Sequence, residues 1–254
     1  MPWTESRSDS FVARHESEDA AAVERLLDTL EAFRAELSDR FEQAPGELAV
    51  VVHSRPIALD LAQPWLPLAR MFAAPAARRY MAGWFSLNEI HVLGPRALEG
   101  RASAVPGSLE ALRLSPLHEL AHVFVGLNNP TLPPPFTVGA FRSYLRSAWL
   151  CEGAATHFAG QAPYLRGAIT RRLHEGRKPE FPPAARDAQL LGGTVFSLLY
   201  EGAGGEACVE LAMTSLDGER ATASAAIERA FARPRAEIER DWRAHLTALT
   251  AAGG

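Results

Sequence analysis

The amino-acid sequence predicts an α+β protein: a mixed α/β N-terminal half with a small sheet, followed by an all-helical C-terminal half. Three observations carry that expectation. Before residue 129, short alternating or β-branched runs stand among helix-period segments. After it, apolar residues recur almost throughout at three- and four-residue spacing. Between the halves lies Asn129-Pro130-Thr131-Leu132-Pro133-Pro134-Pro135, whose four prolines exclude regular structure and divide the chain into residues 1–128 and 129–254.

Each element follows from local pattern. Ser10 to His15 alternates in polarity, as a half-buried strand does. Residues 19–41 form a helix with a stripe of Val23, Leu26, Leu27, Leu30, Phe33 and Leu37, ended by Pro45-Gly46. Leu48 to His53 is a short β-branched run, a buried strand. Pro56, Pro64 and Pro67 break up the next stretch before a short helix over 68–79. Gly83 to Ser86 and Glu89 to Leu93 read as two strands joined at Leu87-Asn88. A small-residue loop leads to Ser115-Pro116, an N-cap and first turn for the helix that Asn128-Asn129-Pro130 stops. Helices are then expected over 138–149, 150–161, 164–175, 187–200, 206–215, 219–231 and 234–249. The last carries a buried stripe of Ile238, Trp242, Leu246 and Leu249.

Bulk properties narrow the function. The 254 residues carry a net charge of −4, which makes no case for nucleic acid or an anionic membrane. Lys178 is the only lysine, so the positive charge is almost all arginine. Cys151 and Cys208 are the only cysteines, which excludes a disulfide framework. No apolar run reaches the length of a membrane span, and Met1 to Arg14 lacks the apolar core of a secretion signal. A cytoplasmic location is the expectation; nothing in the sequence sets the oligomeric state.

The most informative stretch is Leu117-His118-Glu119-Leu120-Ala121-His122-Val123-Phe124, an HExxH pattern. On a helix, positions four apart share a face. His118 and His122 can therefore present two imidazole nitrogens to one ion at about 2.0–2.1 Å, the usual Zn–N distance. Glu119, about 100° further round, points to where a general base for a metal-activated water belongs. Leu117, Leu120, Ala121, Val123, Phe124 and Val125 make this helix apolar on nearly all sides, so it should be buried. Buried imidazoles and a carboxylate without partners would be costly, and a metal removes that cost.

A catalytic zinc usually takes three protein ligands. The candidate for the third is Glu152, 30 residues after His122, in the apolar segment Ala148-Trp149-Leu150-Cys151-Glu152-Gly153-Ala154-Ala155. Gly153 beside it would let two helices approach closely, and Thr156, four residues on, is placed either to hydrogen-bond a ligand histidine or to bond back to its own helix backbone. Cys151 and His157, six residues apart on one helix, point apart and make no thiol catalytic pair. Gly202 to Gly205 lacks the lysine of a phosphate loop and reads as a helix terminator.

His118-Glu119-Leu120-Ala121-His122 followed by Trp149-Leu150-Cys151-Glu152-Gly153 resembles the gluzincin zinc metallopeptidases, the thermolysin-like and aminopeptidase-N-like group that includes peptidase MA-like proteins. The resemblance implies one zinc per chain held by His118, His122 and Glu152, with Glu119 as the catalytic base. It implies a zincin-like N-terminal lobe carrying the HExxH helix, and a helical lobe supplying the third ligand. The expected activity is hydrolysis of peptide bonds in a peptide or protein substrate. It also implies a sheet whose edge strand runs over the active-site helix and binds extended peptide. Glu89 to Leu93 fits that place, which would turn His91 either to the cleft or, as is commoner for a strand histidine, to plain surface. The match departs at the tyrosine that stabilises the oxyanion: Leu190 and Leu191 stand near its usual place, leaving Tyr144, Tyr164, Tyr200, His157 and His174 as substitutes. The alternative is a catalytically silent zinc-binding scaffold of the same fold.

Overall fold

The computed structural model describes residues 3–134, 138–216 and 222–251. Its N-terminal part runs β1 (Trp3–Arg7), β2 (Phe11–Glu16), α1 (Ala20–Ser38), β3 (Leu48–His53), α2 (Pro56–Ala62), α3 (Trp65–Phe72), β4 (Gly83–Phe85) and β5 (Glu89–Leu93). Then follow α4 (Pro95–Arg101), α5 (Ser108–Arg113) and α6 (Ser115–Asn128), the HExxH helix. The remainder is helical: α7 (Val138–Phe158), α8 (Arg166–Leu173), α9 (Ala188–Met213), α10 (Ala223–Phe231) and α11 (Arg235–Ala251). The protein is thus α+β, with a five-stranded mixed sheet in order β1-β2-β3-β5-β4. The pairs β2–β3 and β3–β5 are parallel; the outer pairs β1–β2 and β4–β5 are antiparallel. Among the described residues, no helix is long and apolar enough to cross a membrane.

Alternation decides what each strand buries. Leu48, Val50 and Val52 of β3 join Ile90 and Val92 of β5 in the main apolar cluster, against Val23, Leu27, Leu30 and Leu37 of α1. The same cluster continues into the helical half through Trp149, Leu150, Phe196 and Trp242. The apolar core therefore crosses residue 129 without a gap.

Several expectations change. Glu89–Leu93 is not the edge of the sheet: β4 takes that place, and β5 lies between β3 and β4. Strand β1 and helices α2, α4 and α5 are additional to the elements expected from sequence. Pro56, which reads as a breaker, is the first residue of α2, and Pro95 is likewise the first of α4, where a missing N–H costs no hydrogen bond. The helix expected over 68–79 begins at Trp65 and stops at Phe72, because Pro75 disfavours helix in the residue before it. Ser115 is the first residue of α6 and makes no capping hydrogen bond. The helices expected over 138–149 and 150–161 form one element, α7, broken at Ser147 (φ −119°, ψ 15°). Those over 187–200 and 206–215 abut as α9, with Gly204 (φ 81°, ψ −174°) at the joint. The start expected for α10, at residue 219, lies outside the described residues.

Helices α7 and α9 pack backbone to backbone. A Cβ on Gly153 would lie 2.7 Å from the Gly192 carbonyl, and one on Gly192 would lie 2.6 Å from the Trp149 oxygen. Gly153 therefore serves the α7–α9 contact; it was expected to serve the approach of α7 to the HExxH helix. Below α9, the buried Arg172 guanidinium forks onto Asp187, with Nη2 2.8 Å from Oδ2, and ties α8 to the start of α9. We expect Gly192→Ala to force these helices apart and cost about 1–3 kcal/mol. Thermal unfolding reads this directly; an unchanged Tm would contradict the packing described.

Candidate metal centre

Helix α6 is buried along almost its whole length, and it carries His118, Glu119 and His122 at 4 %, 6 % and 2 % exposure. Glu152 projects from the second half of α7 at 6 %. The structure brings three of these four groups to one point. His118 Nε2 and His122 Nε2 are 3.0 Å apart, and Glu152 Oε2 is 3.4 Å from the first and 3.7 Å from the second. Donors at zinc-like bond lengths on a tetrahedron are separated by about 3.3 Å, so these spacings suit one small cation. The buried group of His118, His122 and Glu152 could hold a metal ion.

The ring orientations support that fit. Gln161 Nε2 donates to the Ala111 carbonyl at 2.8 Å, which turns its Oε1 toward His118 Nδ1, also at 2.8 Å. That oxygen can only accept, so His118 carries its proton on Nδ1 and offers a bare Nε2 lone pair to the centre. His122 Nδ1 lies 3.4 Å from the Cys151 sulfur, and its ring stacks on Phe85 of β4 with centroids 4.2 Å apart. One anionic and two imidazole donors thus face each other in a dry site, the composition a divalent cation favours.

The electrostatics separate the two carboxylates. Burial would raise the Glu152 carboxyl, but His122 and His118 outweigh it and hold the group far below the ordinary range. Burial pushes the Glu119 carboxyl up to about 8, opposed by His118 and reinforced by the charge of Glu152. His118 is shifted upward: hydrogen bonding to Glu152 and the charges of Glu119 and Glu152 overcome its burial. Glu119 lies against the backbone of β4, where a Cβ on Gly83 would sit 2.4 Å from its Oε1. Gly83, the first residue of β4, has no side chain to block that approach.

Of the proposed oxyanion donors, Tyr144 is at the centre. Its hydroxyl donates to Glu152 Oε1 at 2.7 Å. Glutamate side chains on a helix lean toward its N-terminus, and the break at Ser147 re-aims the preceding turns, so a tyrosine eight residues upstream comes within reach. Tyr164 and Tyr200 are exposed. His157 stacks on Phe196, and His174 caps α8.

Other expected roles are reassigned. Thr156 does not hold a ligand histidine; its methyl packs where a Cβ on Gly193 would lie, and its hydroxyl meets no partner among the described residues. Gln161 and Cys151 take that role. Nothing local in the sequence marks Gln161, because a glycine turn at residue 160 carries it back to α6. His91 does not face the cleft. It is buried on β5, its Nδ1 2.9 Å from His53 Nε2 of β3 and its Nε2 3.3 Å from Glu89. The two rings lie 17° from coplanar with centroids 5.2 Å apart, the spacing of imidazoles joined end to end by one proton.

Two outcomes follow. Gln161→Ala should weaken metal binding about 10- to 100-fold, whereas His118→Ala or Glu152→Ala should abolish stoichiometric binding, as read by metal titration. Unchanged affinity in Glu152→Ala would remove it from the ligand set. Burial, with the neighbouring His91, lowers His53 to about 4, so the unfolded chain takes up more protons between about pH 6.5 and 4. Stability should fall as pH drops through that window, and His53→Gln should recover on the order of 2 kcal/mol of the loss in denaturant titrations.

Comparison of the chain with protein-family models, with curated proteins and with solved structures finds no match, so the centre is read from its own residues.

Proposed function

We propose that this protein is a zinc-dependent peptidase of the gluzincin type, with a zincin-like α/β lobe and a helical lobe meeting at the centre. The observation that carries the reading is the convergence of His118, His122 and Glu152 from two helices, with Glu119 on the same helix as the histidines. Zinc held by those three groups would supply Lewis acidity, lowering the pKa of water and polarising a scissile carbonyl.

The chain's own residues supply the rest. Glu119, buried against Gly83, takes a proton from the attacking water in its ionised form, which a cation at the centre would favour, and returns it to the leaving amine. Its raised proton affinity reflects a site that excludes solvent, where such transfers are guided by position. Tyr144 offers a hydroxyl donor beside the carboxylate, suited to the negative charge that develops on the carbonyl oxygen. Gln161 and Cys151 hold the two imidazoles in orientation. The substrate is a peptide or protein.

A second reading, a silent metal-binding scaffold, is favoured by the closure of the site: all three ligand residues and Glu119 are at most 6 % exposed. The two readings separate by experiment. Glu119→Gln should retain the metal and lose peptide cleavage. Tyr144→Phe should lower kcat by about 10²–10³-fold with KM little changed. Full metal occupancy in a wild-type protein that cleaves nothing across a broad peptide library would establish the scaffold instead.

A further inference from the structure

The outer faces of α2 and α3 carry the largest run of exposed apolar side chains among the described residues. Ile57, Leu61, Trp65, Leu68, Met71 and Phe72 are 45–76 % exposed, while Leu59 and Leu66, on the opposite faces, are buried in the core. The inner residues already anchor both helices, so the outer stripe is not needed to hold them to the fold. Residues 57 and 61 are one turn apart, and 65, 68 and 72 follow at helical spacing, so each helix turns one apolar face outward. Only Gln63 and Pro64 separate the two helices, and Pro64 and Pro67 stiffen the join.

The face is also electrically silent. Between Pro56 and Phe72 the only charged residues are Asp60 and Arg70, and they pair with each other; Arg70 also donates to the Met81 carbonyl at 2.8 Å. The exposed fractions of the six side chains amount to roughly 900 Å², against about 800 Å² per partner in a standard stable interface. The largest apolar patch on a typical monomer is about 300–600 Å². Trp, Phe and Met are the residue types enriched at interface cores.

We propose that this face joins two copies of the chain in an isologous, two-fold dimer. A bilayer is the poorer occupant. Interfacial helices of this size carry a polar face rich in lysine and arginine. Within α2 and α3 that face has only Arg70, already paired with Asp60. Arg55 precedes α2, and Arg78 and Arg79 beyond α3 donate to the Ala73 and Arg101 carbonyls, in a chain of net charge −4. A partner of complementary charge has nothing to read on it. A neutral, rigid apolar face is complementary to itself, and two-fold pairing covers it on both copies at once. The inference does not depend on the metal centre.

Sedimentation velocity of the full chain, from micromolar to submillimolar concentration, tests it. The wild type should run at the mass of two chains, and Trp65→Glu/Phe72→Glu should run as one chain with unchanged circular dichroism and metal content. Leu61→Glu, on the other helix, should independently raise the dissociation constant about tenfold or more, which keeps the test open if the double variant folds poorly. A wild type that stays a single chain at every concentration overturns the proposal, whether or not it floats with phosphatidylcholine vesicles. So does a dimer that both variants leave intact.

Discussion

Two imidazole edges and a carboxylate, all withdrawn from water, have to be held within a few ångströms of one another. In the interior of a protein, that arrangement is expensive unless a cation occupies the point on which they converge. His118 and His122 come from one helical turn, so their mutual distance is set by α6 alone. Glu152 has to be brought from another helix, and the rest of the helical half is arranged around doing so. Gly153 and Gly192 let α7 seat against α9, and Arg172 with Asp187 pins the start of α9. A displacement of α7 by the width of a methyl group would take the carboxylate out of register with the imidazoles.

The immediate surroundings tune that centre with neutral groups. Where metal-binding histidines often lean on carboxylates, His118 leans on an amide and His122 on a thiol. Neither adds negative charge, so the centre carries only that of Glu152 and whatever Glu119 contributes. The two glutamates are driven in opposite directions by their settings: imidazoles hold Glu152 ionised, whereas Glu119 is pressed on a strand backbone and favours its proton. Paired titratable groups pushed apart in this way are what the proposed acid–base chemistry would require. The His53–His91 pair shows the contrasting case, two buried histidines that satisfy each other along one line and leave no convergent point for an ion.

Local pattern was enough to read α1, β2, β3, β4, β5, α6 and most of the C-terminal helices, because their apolar residues recur with the period of the element that buries them. The same holds for the metal-binding candidates: an i, i+4 pair of histidines and a glutamate in an apolar segment are recognisable without coordinates. Pro56 misleads as a breaker, since it opens a helix whose first N–H groups need no partner. Strand β1 escaped notice because it is mostly exposed, with no apolar face to betray it.

What the sequence by itself determined is the set of donors on α6 and the kind of residue needed to complete it, because both follow from the geometry of one helix. Only the tertiary structure decided that Glu152 meets them, that Tyr144 reaches Glu152, that Gln161 and Cys151 orient the rings, and that Gly83 of β4 lies against Glu119. Those contacts join residues 8 to 43 positions apart or depend on strand order. No periodicity within a single element encodes how two elements are docked, so such distances emerge only when the whole core packs.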